Sequence, residues 1–122
     1  MGVRDSSFFR DMGETALAKL ESISFESIYE DGSVIFFEGE SSKYLHILVS
    51  GTVELIKTGA KTGEIYLHSL KSGSMIAELP TFEQIPFPAT ARSVGVTKIL
   101  KIDFTIFKSI LLTDQGASFG FI

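Results

Sequence analysis

Two rhythms of apolar and polar positions divide the chain. Up to about Ser22 the pattern is helical, with Leu17 and Leu20 spaced i, i+3 and Ala16 and Ala18 beside them. Gly13 leaves the start of that helix open. From Ile23 to Ile102 the rhythm changes to short runs of period two with glycine between them. Ser24–Glu30 stops at Asp31-Gly32, and Val34–Phe37 stops at Glu38-Gly39-Glu40. Tyr44–Ser50 stops at Gly51, and Val53–Thr58 stops at Gly59. A Lys61-Thr62-Gly63 turn leads to Glu64–Leu70, and Lys71-Ser72-Gly73 follows. After a mixed stretch to Pro88 the pattern predicts strands at Ala89–Val94 and Thr97–Asp103. Short strands with turns every ~8–12 residues predict an all-β sandwich or barrel. The end returns to helix: Asp103 is a candidate N-cap for Phe104–Leu112, with Ile106, Phe107, Ile110 and Leu111 on one face. Asp114 is a candidate cap for another helix.

The 122 residues fit one domain with a sizeable core, and 44% hydrophobic against 21% charged residues excludes a disordered chain. Eleven Phe, with no Trp, point to a Phe-rich core or to a small apolar ligand pocket. The net charge of −4, with no Lys/Arg cluster, argues against a chain that grips nucleic acid by itself. The absence of cysteine excludes disulfides, thiolate zinc sites, cysteine-ligated iron–sulfur clusters and cysteine nucleophiles. No apolar run approaches the ~20 residues of a membrane span, and the first ten residues lack a signal-peptide core. A cytoplasmic location, with no membrane partner, is the expectation.

The stretch Gly73–Ser93, GSMIAELPTFEQIPFPATARS, is where ligand chemistry concentrates. Gly73 gives a turn, and Ile76-Ala77-Glu78-Leu79 sets small and apolar residues beside one acid. A short helical turn is expected around Pro80–Gln84, and Pro86 and Pro88 rigidify the return into a strand at Ala89. A small residue followed by Glu at such a turn can present backbone N–H groups to an anion, while the carboxylate accepts from a hydroxyl.

The order of these pieces resembles a cyclic-nucleotide-binding domain of the kind found in Crp/Fnr transcription regulators. The resemblance rests on Gly32 before Val34-Ile35-Phe36, on Phe37-Glu38-Gly39-Glu40 and on Leu45–Gly51-Thr52-Val53. It continues through Gly73…Ile76-Ala77-Glu78-Leu79 and Pro86…Ala89-Thr90-Ala91, and spans roughly residues 14–118. It implies a mainly β fold, a double-stranded β-helix or jelly-roll β-roll flanked by N- and C-terminal helices. It also implies a small-molecule effector site at Leu67, His68, Met75, Ile76, Ala77, Glu78, Leu79, Phe87, Pro88, Ala89 and Thr90. Residues 1–122 are then one sensor domain, with 114–122 opening the dimerisation helix of a homodimer. DNA would be bound only through a helix-turn-helix domain outside this chain.

Two departures bear on the effector. Ala77 stands where the family has glycine, and Phe87 stands where the family has the arginine that neutralises a cyclic phosphate. A buried phosphate without a cation is unfavourable by several kcal/mol, so cyclic AMP is not the expected effector. The Pro-aromatic-Pro-Ala pattern is similar to the branch that senses nitric oxide, redox state or metabolites, some of whose members bind haem. His68 is then a candidate haem ligand, with His46 second to it.

Bland readings stand beside these. Glu78 either contacts an effector or satisfies the N-terminus of the cassette helix. Met75, Phe82 and Phe87 either line an effector pocket or serve core and dimer contacts. Glu38 and Glu40 flank a turn glycine and read as solvated. A β-roll that only makes protein contacts is one alternative function, and a cupin-like metal enzyme is another. His46 and His68 lie 22 residues apart with no His-x-His pair, and no nucleophile–base pairing is visible, so no enzyme is expected.

Overall fold

The computed structural model describes residues 9, 12–59 and 63–113. The helical rhythm becomes α1 (Glu14–Ile23) and the period-two region becomes six strands. These are β1 (Ser24–Tyr29), β2 (Val34–Phe36), β3 (Tyr44–Gly59), β4 (Gly63–Lys71), β5 (Met75–Ile76) and β6 (Thr90–Asp103). The cassette helix α2 (Glu78–Glu83) sits between β5 and β6, and α3 (Phe104–Thr113) follows β6. This is the expected mainly β jelly roll with flanking helices. The Lys61-Thr62 turn, the Asp114 cap and the segment 114–122 fall outside the described residues.

β3 and β6 organise the sheet, and both correct the sequence reading. Each was expected as two strands separated by a glycine, and each is one long strand that bends. The first half of β3 pairs with the last half of β6, from Tyr44↔Asp103 to Leu48↔Ile99. The second half of β3 pairs with the start of β6, from Thr52↔Val94 to Ile56↔Thr90. The register shifts around Ser50, where Gly51 takes φ +93°. A Cβ at Gly51 would lie 2.6 Å from Thr97 Oγ1 and 2.7 Å from the Val96 carbonyl oxygen. Glycine is therefore required here both by backbone sign and by space. The bend lets each long strand serve two layers: β6 carries β1 on one half and β2 on the other, while β3 carries β5 and β4.

Alternation along β3 divides the core in two. Leu45 and Ile47 face the helices, where they pack with Leu20, Leu100, Ile102 and Phe107. Leu48, of the opposite parity, lies inside the roll with Phe36, Val53, Ile76, Phe87, Ala91 and Ile99. Asp103 caps α3 as expected, accepting the Ile106 N–H at 2.9 Å.

Candidate functional site

Both residues that cap α2 are left-handed. Ala77, its N-cap, has φ 52° and ψ 44°; Gln84, its C-cap, has φ 55° and ψ 45°. Ala77 thus holds a backbone conformation natural to glycine, at a cost of about 1–2 kcal/mol. Thr81 anchors the helix from within: it is fully buried, and its Oγ1 lies 2.8 Å from Ser42 Oγ and 3.1 Å from the Ala77 carbonyl oxygen.

The turn places Ala77, Glu78, Leu79 and Pro80 on one side of a cavity of about 290 Å³, with Leu55, His68, Leu70 and Met75 opposite. Of the expected site residues, His68, Met75, Ala77, Glu78 and Leu79 are therefore brought together. His68 and Leu55 are direct cross-strand partners. Leu55, Leu70 and Pro80 were missed, and the signal for Leu55 and Leu70, a shared register, exists only once the strands are paired. Glu78 is the only Asp, Glu, Lys or Arg in this lining.

The remaining expected residues go elsewhere. Leu67 lies in a β-bulge, where the register steps from His68↔Leu55 to Tyr66↔Ile56, and it is exposed. Ile76 is fully buried core. Phe87 turns into the roll and stacks on Phe36. Pro88 is exposed and its carbonyl accepts from Lys57 Nζ at 3.4 Å. Ala89 is buried, and Thr90 Oγ1 accepts the Glu38 N–H at 2.9 Å. Phe82, the other pocket candidate, packs edge-on against Phe104 and Phe107. Arg92 is tied up on the outside by Glu54 at 2.6 Å and Glu64 at 3.1 Å.

The two histidines sit in different surroundings. His68 is exposed at the cavity. His46 is 4% exposed, packed edge-on against Phe36 with ring centroids 5.3 Å apart, and its Nδ1 has no hydrogen-bond partner. Burial first, then the positive charge of Lys101, push its pKa from 6.5 down to about 4, partly offset by a hydrogen bond with the Tyr44 main chain. Among the described residues no group of three or more His, Asp or Glu side chains could hold a metal ion. No described helix is long and apolar enough to cross a membrane.

A family model described as the cyclic nucleotide-binding domain matches residues 26–114. The chain belongs to the cyclic nucleotide-binding domain family. It is 28% identical over 110 residues to a cAMP-dependent protein kinase regulatory subunit of Yarrowia lipolytica, covering 90% of this chain and 28% of that protein. It is 24% identical over 113 residues to the potassium channel KAT3 of Arabidopsis thaliana, covering 93% of this chain and 17% of the channel. The chain thus spans under a third of either relative. Among solved structures, the sensor domain of the transcriptional regulator DNR from Pseudomonas aeruginosa superposes with a TM-score of 0.81 at 20% identity, covering 91% of this chain and 75% of that one. The N-terminal domain of a transcriptional regulator from Streptomyces coelicolor A3(2) gives 0.75 at 24% identity, with 90% and 79% covered. At these identities the likeness is one of fold.

Proposed function

We propose that this cyclic nucleotide-binding domain is the effector-sensing part of a Crp/Fnr-type transcription regulator, and that its effector is not cyclic AMP. The effector site is the cavity between the cassette and the β3–β4 pair. Its occupant orders α2 against the roll and so shifts the helices that follow β6. Glu78 accepts a hydrogen bond from the effector, and Leu55, Leu70 and Leu79 exclude water. In the whole protein the signal passes through a homodimer to a helix-turn-helix domain that binds DNA in the cytoplasm. The role is regulatory rather than enzymatic.

The observation that carries this reading is the environment of Phe87. The position that would supply a phosphate's cation is a buried ring stacked on Phe36, and the one ionised side chain in the cavity lining is acidic. A cavity of about 290 Å³ is at the small end of ligand sites, which favours a small neutral effector over a nucleotide. It also fits haem poorly, since exposed His68 is the sole imidazole in the lining and the cavity does not enclose a macrocycle.

A second reading, a β-roll used only for protein contacts, draws on the exposed run Ile65, Tyr66 and Leu67 on β4 and on exposed Phe37. A thermal melt with and without millimolar cyclic AMP tests the leading reading. Binding at a hundred times Kd adds about 2.7 kcal/mol, a rise of several degrees for a domain of this size. No shift is the expected result. A saturable rise overturns the exclusion of cyclic AMP.

A further inference from the structure

Apart from the cassette cavity there is a second hollow of about 260 Å³, lined by Phe87, Phe36 and His46 among others. Its walls are more polar than the cassette cavity's. Lys101 of β6 enters it beside His46, its register partner on β3. The loop before β3 contributes Glu40, Ser41 and Lys43.

Two features of this hollow are unexplained by the fold alone. The first is His46, buried and neutral, with Nδ1 unsatisfied. A buried polar atom without a partner costs about 1–3 kcal/mol, and an apolar side chain at this position would avoid that cost among Phe36, Phe87 and Ile76. The second is Lys101. Its ammonium lies 5.3 Å from the Tyr29 ring centroid and 5.8 Å from that of Tyr44, and it forms no ion pair among the described residues. The tyrosine faces hold the charge in place without neutralising it. Glu40, the one acid in the lining, already accepts the Phe37 N–H at 2.7 Å.

We propose that this hollow is a binding site for a small oxyanion, a carboxylate or a phosphate, held by the Lys101 ammonium beside the His46 ring. Lys101 supplies the charge-assisted bond, while Ser41 and Lys43 border the entrance. The site is separate from the cassette cavity and does not depend on the proposed effector role.

The protein has only two histidines, so their imidazole resonances report on the two cavities separately. Inorganic phosphate and acetate are each titrated at constant pH and ionic strength against a chloride control. The expected result is a saturable shift at His46 with one or both anions and none at His68. Which anion saturates tells phosphate from carboxylate. Lys101→Gln weakens the apparent affinity by about tenfold or more, Lys101→Arg retains it, and Glu78→Gln leaves it unchanged. A shift that is linear, matches chloride, survives Lys101→Gln intact or appears at His68 instead overturns the proposal.

Discussion

Phe87 and Phe36 stack face to face, with ring centroids 3.7 Å apart and planes 13° from parallel. The pair joins the cassette's return to β2, and backbone bonds reinforce it: Phe87 N–H donates to the Glu40 carbonyl at 2.9 Å, and Gly39 N–H donates to the Phe87 carbonyl at 2.8 Å. Phe87→Ala is expected to cost about 3–5 kcal/mol, as for other buried aromatics, read from the urea midpoint. Phe87→Arg costs no less, because it buries a charge among Phe36, Leu48 and Ile99. It does not create cyclic AMP binding, since the side chain at this position packs into the roll and does not line the cassette cavity; calorimetry with cyclic AMP checks this.

Ala77→Gly is expected to stabilise the domain. Glycine removes the left-handed strain of about 1–2 kcal/mol and gives back about 0.4–1 kcal/mol through greater freedom in the unfolded chain. The net gain is then about 0.5–1 kcal/mol, measurable as a higher melting temperature. A loss of stability would mean that the alanine methyl makes compensating contacts.

Gly51→Ala is expected to be among the most damaging single-methyl changes. It meets Thr97 Oγ1, Thr97 Cα and the Val96 carbonyl within 2.9 Å at a φ that disfavours any side chain. A loss of more than about 2 kcal/mol follows from strain and overpacking combined. Gly95→Ala is the control: it shares a positive φ, but its Cβ meets nothing within 4 Å, so it should cost less.

His46 makes stability depend on acid. Unfolded, the imidazole takes a proton near 6.5; folded, it resists until about 4. Between those values the unfolded chain binds more protons, so the stabilisation is full above about pH 6.5 and is lost as pH falls toward 4. The shift corresponds to about 3 kcal/mol. Denaturation midpoints of the wild type and of His46→Phe between pH 7 and pH 4 isolate this from the carboxylates, because only the wild type carries the histidine's share. Parallel curves would refute it.

These outcomes also mark what could be seen in the residues alone. The helices, the strand rhythm and the Asp103 cap were legible because each is a local signal. The long strands were not, because a glycine that ends a strand and a glycine that bends one look alike until their partners are known. Gly51 is fixed by Thr97, and 46 positions separate them. The cassette half of the site was legible from Ala77-Glu78-Leu79, whereas the wall made by Leu55 and Leu70 depends on register. Phe87 was found but not its direction, which the stack on Phe36 decides. The burial of His46 was not legible, because sequence position says nothing about which strand face is enclosed.

The two left-handed caps have a consequence for hydrogen exchange. Ala77 and Gln84 both hold non-glycine residues where φ is positive, one at each end of a six-residue helix. If 78–83 lets go of the roll, both residues relax, and part of the lost packing is recovered at once. The cheapest sub-global opening of this domain is therefore α2 leaving as a unit while β3 and β6 stay paired. Its amides should exchange ahead of those strands. A molecule that slows them needs to supply only the small free energy separating the docked segment from the released one.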